Sequence, residues 1–296
     1  MIGELAALFT AFIWSLSSLF FTAGGREIGA LNVNRIRLVF GLILLGIALF
    51  ITQGWIWPPN VSNDEIFYLA ISGVIGLVIG DSFLFSAMVM LGTRVTMLIF
   101  SLSPAIAAIT AWLVMDETLD LLSIVGMVIT LAGVIWVTIE KPNSKKITKV
   151  NITAKGVIFA FLGGAGQAVG IVFAKKGLEA GLDPMAGTFI RMLASTIAIW
   201  IIAILTGKLI STIKCFKKPR GIMYAWGGAV TGPFLGVWMS LVAVKHTEAG
   251  VAMAIMSIFP VLVIPWVIIF FKEKVSPRAV LGAVLAVCGV FILFLH

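Results

Sequence analysis

The stretch from Gly80 to Val137 is replayed 156 residues further along a chain of 296 residues. Ser101 and Pro104 recur as Ser257 and Pro260, Glu117 as Glu273, and Gly126 and Gly133 as Gly282 and Gly289. Upstream, Ile36-Arg37 has its counterpart in Ile190-Arg191, at an offset of 154. One unit of about half the chain is therefore present twice, and the fold must place two like units against each other.

Composition says which solvent the units face. Hydrophobic residues make up 60% of the chain and charged residues 11%, with a mean hydropathy of +1.14. A soluble domain carries roughly 25% charged residues, so the chain belongs in a membrane. A helix crosses the hydrocarbon core with about 20 apolar residues. On that measure the first half holds spans near 4–22, 33–52, 66–88, 93–115 and 121–140. The second holds spans near 155–174, 184–206, 222–244, 248–271 and 277–295. Five spans is an odd number, so the second copy enters the membrane upside down relative to the first. The expected fold is all-α and integral to the membrane: ten transmembrane helices as two inverted five-helix repeats. The repeats cover 1–140 and 154–296, joined by the polar linker KPNSKKITKVNIT (141–153). Met1 to Phe21 lacks a basic leader, carries Glu4 and has a repeat counterpart deep in the chain. It is read as span 1 and not as a signal peptide.

The net charge of +8 sits in short loops between apolar runs. Loops after odd-numbered spans hold 15 lysines and arginines, whereas the opposite face has only Lys175, Lys176 and Lys245. This bias predicts odd-numbered loops in the cytoplasm, both termini outside, and a cell-membrane location. It explains the basic charge without a nucleic-acid partner. The expected partners are membrane lipid, a small-molecule substrate and, as a candidate, a second copy of the chain. Cys215 and Cys288 do not form a disulfide framework. His246 and His296 stand at a span end and at residue 296. There is no Cys/His metal spacing, no Walker loop and no nucleophile–histidine pair within a span, so no metal, no cofactor and no enzyme activity is expected.

Chemistry within the spans is sparse. Asp81 is the acidic residue well inside a predicted span, roughly 10 Å from its end at 1.5 Å per residue. Arg37 lies at a comparable depth in span 2. Together they make either a register-fixing ion pair or the polar wall of a cavity for a proton or a substrate amine. The repeat breaks its symmetry here, because Asp81 corresponds to Val237. Arg191 consequently has no acid in its own half. It either snorkels to the interface or offers its fork of donors to a carboxylate or phosphate. Pro104 and Pro260 fall near the middle of spans 4 and 9 and predict helix breaks there. Ser101 and Ser257, three residues earlier, are placed to satisfy loosened backbone. Trp14, Ser15 and Ser18 in span 1, Gln167 in span 6, and Trp238 and Ser240 in span 8 are near mid-depth. Of these, Trp14 and Trp238 are candidate walls for an organic substrate, or packing residues. The motifs Gly76-x-x-x-Gly80, Gly166-x-x-x-Gly170 and Gly228-x-x-x-Gly232-x-x-x-Gly236 predict close helix contacts, or room for a ligand.

Residues 101–137 (SLSPAIAAITAWLVMDETLDLLSIVGMVITLAGVIWV) and 257–293 (SIFPVLVIPWVIIFFKEKVSPRAVLGAVLAVCGVFIL) carry a resemblance to the drug/metabolite transporter superfamily. The chain is similar to its EamA-like branch over essentially its whole length. That branch usually closes spans 4 and 9 with Gly-Glu. Here the pairs are Asp116-Glu117 and Lys272-Glu273, so only the glutamates carry over. The resemblance implies secondary active transport by alternating access, often export of amino acids or related metabolites, through a cavity lined by spans 1, 3, 4, 6, 8 and 9. The candidate substrate residues are Trp14, Ser15, Asp81, Ser101, Gln167, Arg191, Trp238 and Ser257, with Asp81 and Arg37 as the ion pair or proton-coupling site. A flippase for a lipid-linked sugar headgroup is the alternative transport activity, and a membrane-embedded enzyme the alternative of another class.

Overall fold

The computed structural model describes residues 1–139, 153–259, 261–262 and 277–295, and among these there is no strand. Pro260, Lys272, Glu273 and all of the expected linker except Thr153 lie outside the described residues. The first half runs α1 (Ile2–Ile28), α2 (Ala30–Gln53), α3 (Asn63–Gly73), a π-helical segment (Val74–Gly80), α4 (Asp81–Phe100), α5 (Ser103–Met115) and α6 (Leu121–Ile139). The second runs α7 (Ala154–Lys176), α8 (Pro184–Leu205), a short α9 (Leu209–Lys214), α10 (Pro219–Ala229) and a second π-helical segment (Val230–Val237). It continues through α11 (Trp238–His246), α12 (Ala249–Met256) and α13 (Pro277–Phe294).

Among the described residues, seven helical stretches are long and apolar enough to cross a membrane, and they stand at spans 1–4 and 6–8. Span 3 is Asn63–Gly92 and span 8 is Pro219–His246, each running straight through its π-helical segment. Shorter apolar helices, Leu121–Val137 and Val280–Phe294, stand at spans 5 and 10, and α12 begins span 9. The protein is an all-α, multi-pass membrane protein built from two repeats. Apolar side chains such as Ile51 (76% exposed) and Leu113 (69%) cover the outside of the bundle, where only lipid tails would welcome them.

Local chemistry explains the helix ends. Gly54 takes φ 77°, the left-handed conformation that closes α2. Ser62 and Glu65 form a reciprocal capping box at the start of α3. Asp183 accepts the N–H groups of Met185 and Ala186 ahead of Pro184, which suits the first turn of α8. Each such cap is worth about 1 kcal/mol. Gly92, at φ 76° and ψ 156°, breaks α4 and separates span 3 from span 4.

Glycines set the packing across the two halves. Span 3 crosses span 6 with its Gly-x-x-x-Gly ridge on the other's: a Cβ on Gly166 would lie 2.8 Å from Gly80 Cα, and one on Gly170 would lie 2.8 Å from Gly76 Cα. Spans 5 and 10 pack chiefly on one another in the same way. A Cβ on Gly133 would meet Ala286 N at 2.3 Å, and one on Gly289 would meet Thr130 N at 2.3 Å. The recurrent Gly126, Gly133, Gly282 and Gly289 thus line one helix–helix seam between the repeats.

Candidate functional site

Between the halves lies a cleft of about 520 Å³, partly open to solvent. Trp14 and Phe21 line it from span 1, Arg37 from span 2, Asp81 and Phe85 from span 3, and Phe100 from span 4. Gln167 contributes from span 6, Gly232 and Val237 from span 8, and Phe259 from span 9. Phe21, Met88, Arg37 and Phe100 are near the helix ends that meet the odd-numbered loops, whereas Trp14, Leu77, Gln167 and Val237 stand near mid-span, so the cleft runs from the middle of the bundle toward that end.

Its polar wall is one connected network. Arg37 forms an ion pair with Asp81, and its Nε donates to Asn34 Oδ1 at 3.0 Å. The guanidinium is held between two aromatic faces, 5.0 Å from the Phe21 ring centroid and 4.8 Å from that of Phe85. Gln167 Nε2 donates to the other Asp81 oxygen and to Gly76 O, 3.3 Å away. Asn34 Nδ2 in turn donates to Leu77 O at 3.0 Å. The carbonyls of the first π-helical segment therefore accept side chains from spans 2 and 6, drawing both halves onto Asp81. Removing one partner of such a buried pair costs about 3–5 kcal/mol, because the other charge is left uncompensated.

The opposite wall is aromatic. The Phe259 ring stands edge-on to Trp14 (centroids 6.5 Å apart) and to Phe100 (6.0 Å). Span 8 approaches span 1 closely enough that a Cβ on Gly236 would meet Trp14 Nε1 at 2.4 Å, and one on Gly232 would meet the Phe21 ring at 2.7 Å. Ser17 donates to Thr231 Oγ1 across the same contact at 2.8 Å.

Of the sequence candidates, the cleft gathers Trp14, Ser18, Arg37, Asp81 and Gln167. It does not gather Ser15, Ser101, Ser257, Trp238 or Arg191. The three serines spend their hydroxyls on their own helices, donating to Phe12 O, Leu98 O and Ala254 O. Trp238 stacks instead on Phe234, with centroids 6.3 Å apart. Arg191 is 1% exposed and so does not snorkel; its side chain runs along Gly73 and Gly76 behind the Gln167 wall.

Span 4 does break at its proline, as a helix end followed by a restart. α4 stops at Phe100 and α5 begins at Ser103, placing Pro104 in its first turn. Leu102 N bonds to Ile99 O, and Ser101 covers the Leu98 carbonyl released by that shift. The carbonyl that Pro104 itself orphans is Phe100 O, and Ser103 satisfies it at 2.6 Å. Span 9 repeats the Ser101 pattern at Ile258, Ile255, Ser257 and Ala254. Pro260 lies outside the described residues.

The end of the bundle at the even-numbered loops is tied shut. Glu117 pairs with Lys175 and accepts the N–H of Ala249 at 3.0 Å, where span 9 begins. Lys175 Nζ also donates to Thr247 O (2.8 Å), and Lys176 Nζ to Val114 O (2.8 Å). Lys245 Nζ donates to Leu182 O at 2.8 Å. The three lysines of this face are thus straps between spans. Among the described residues no group of three His, Cys, Asp or Glu side chains is placed to hold a metal ion.

Comparison with known proteins bears on the whole chain. A family model described as the EamA-like transporter family matches residues 1–139 and again 154–295. No curated protein matches. A solved crystal structure superposes on 99% of this chain and 96% of its own with a TM-score of 0.72, at 15% identity, and so supports the fold alone.

Proposed function

Because this chain belongs to the EamA-like transporter family, and is a multi-pass membrane transporter of the drug/metabolite type, we propose that it is a secondary active exporter of small organic metabolites. It works by alternating access, with Asp81 and Arg37 coupling transport to protons. The observation that carries this reading is the one-sided cleft. A buried ion pair and an aromatic wall, drawn from both inverted halves, line a cleft that reaches toward the odd-loop helix ends, while the Glu117–Lys175 tie joins spans at the other end. An inverted repeat has a second arrangement of like energy, in which the two halves exchange conformations and the cleft opens the other way. The substrate would lie between Trp14 and Phe259 on one side and Gln167 and Asp81 on the other.

Loop charge puts the accessible end in the cytoplasm, where an exporter loads, with both termini outside the cell membrane. Reconstituted vesicles loaded with amino acids, amines, organic acids or sugars test this directly. The wild type should exchange at least one class across the bilayer, faster when a pH gradient is imposed. Absence of exchange for every class overturns the transport reading, and exchange indifferent to pH overturns the coupling. A reporter fused at residue 296 that is active in the cytoplasm overturns the orientation.

A further inference from the structure

Among the described residues, the centre of the bundle holds one more positive charge than negative. Arg37 (2% exposed), Arg191 (1%) and Asp81 (5%) are buried there together. Asp81 is spent on Arg37 and Gln167. The Arg191 guanidinium has no acid within pairing distance among the described residues, and its Nε is buried without a hydrogen-bond partner. The other buried acids are far off in the fold: Glu65 caps α3 with Ser62, and Glu4 stands in the first turn of α1. Asp81 acts on it only from beyond pairing distance; a buried cation that shares its one counter-charge is costly, yet it is held beside the cleft. A Cβ on Gly76 would lie 2.7 Å from Arg191 Nη2, and Gly76 O is the carbonyl that Gln167 reaches from the cleft wall. The glycine lets the guanidinium lie against span 3, and the excess charge held there points to a ligand.

Resting on the transport reading above, we propose that the substrate is a net monoanion: a small organic acid with an aromatic or branched apolar body. The Gln167 side chain turns aside from Gly76 O, and the carboxylate passes it to take Arg191 as its counter-ion. The guanidinium fork suits a planar carboxylate, and one negative charge balances the centre. An amine would add to the excess, and a zwitterion would leave it unchanged. Apart from Ser17 and Ser18, whose hydroxyls are spent on Thr231 and Ser15, the rest of the cleft is ring and aliphatic surface, from Trp14, Phe21, Phe85, Phe100 and Phe259, so the body of the acid is apolar.

A charge ladder on one ring tests this: phenylacetate, phenylacetamide, phenylalanine and 2-phenylethylamine, with binding to the full-length wild type in detergent followed by tryptophan fluorescence and thermal shift. Phenylacetate should bind at least tenfold more tightly than the other three. Arg191→Gln should abolish that preference with little change in the unliganded melting temperature, since it removes a charge that makes no direct ion pair. Arg191→Lys should keep the preference at reduced affinity. Equal binding along the ladder, no phenylacetate binding at 10 mM (on the order of a negligible affinity), or an unaltered preference in Arg191→Gln each overturns the proposal. The wild-type ladder decides even if the variants do not fold. Vesicle exchange separates the two readings. A protein that moves phenylacetamide as readily as phenylacetate keeps transport and loses the anion site. One that binds phenylacetate selectively and moves nothing keeps the anion site and loses transport.

Discussion

Spans 3 and 8 are the same helix in two copies, and they have been put to different uses. Both turn π-helical at the same repeat position, Val74–Gly80 and Val230–Val237, and both carry glycines there at the 156-residue offset. A π-helical segment widens the helix and re-aims the side chains beyond it. In span 3 it delivers Asp81 to Arg37, and the bare glycines admit Arg191 and the span 6 backbone. In span 8 it delivers Val237, and the glycines admit the rings of Phe21 and Trp14 from span 1. The shared backbone makes the cleft possible. The unequal side chains make one wall charged and the other aromatic, which is what gives the cleft a chemistry of its own.

The largest effect should come from removing the charge that distinguishes the two spans. Asp81→Asn leaves both Arg37 and Arg191 buried without an acid, at a cost of about 3–5 kcal/mol, and vesicle exchange should be lost. Val237→Ala, at the matching position, removes only packing and should cost about 1–2 kcal/mol with exchange retained. Thermal unfolding in detergent and exchange rates report on both variants. Equal losses would mean that the two spans are equivalent after all.

A second pair tests what the glycines do. Gly166→Ala drives a methyl to within 2.8 Å of the Gly80 Cα, which is backbone and cannot turn aside, so spans 3 and 6 must separate at a cost of about 1–3 kcal/mol. Gly236→Ala meets Trp14 Nε1 at 2.4 Å. The Trp14 ring can swing, although Thr231 O of span 8 itself, 2.8 Å away, cannot; stability should fall without spans 3 and 6 separating, and the Trp14 emission should shift. If Gly236→Ala is the more destabilising and leaves the emission unchanged, the span 8 glycines serve helix packing and not the aromatic wall.

How much of this was legible in the sequence follows from the range of each interaction. The offset of 156 and the apolar runs are properties of the chain itself, and they located the helices, the inversion and the Asp81/Val237 asymmetry. Arg37 and Asp81 could be matched because each is a rare charge at like depth. Phe85 had a signal, lying four residues after Asp81 and so on the same face. Phe259 had none, since a phenylalanine in an apolar run looks the same whether it faces lipid or a cleft. The two π-helical segments were hidden because glycine pairs announce close approach without saying how the backbone winds. Ser103 was legible beside Ser101, because a proline orphans the carbonyl four residues before it and so names Phe100 O as the group in need. Lys175 looks like loop charge in the sequence, because its bond to Glu117 depends on how spans 4 and 6 pack.

Smaller effects are expected at the tie that holds the even-loop end closed. The Glu117 and Lys175 side chains are about equally exposed, at 15% and 16%, so the pair is partly hydrated. An ion pair of that kind contributes roughly 0.2–1 kcal/mol, and Lys175→Gln should move the balance between the two arrangements of the halves by a few-fold at most. A cysteine placed at Val251, buried in α12, should then react faster with a water-soluble maleimide. An unchanged rate would mean that this end is shut by the packing of spans 4 and 9, and that the comparison between the halves concerns the cleft alone.

The smallest effect concerns Cys215, in the segment that leads into span 8. Its thiol is buried and lies 3.2 Å from Ser211 O and 3.9 Å from Ile28 O at the end of span 1. Burial pushes the thiol up from its ordinary range, and the nearby Lys218 and Arg35 charges oppose this only in part. Because the thiolate is the reactive form, a raised value means less of it at neutral pH. Alkylation of the native protein should be slower than that of an unfolded control and should keep accelerating at pH values where the control has levelled off. If span 8 moves with its aromatic wall when the cleft is occupied, Ile28 and Ser211 part and the thiol gains water. The rate at fixed pH then rises with ligand. A rate indifferent to ligand would assign the motion to span 3 and its charged wall instead.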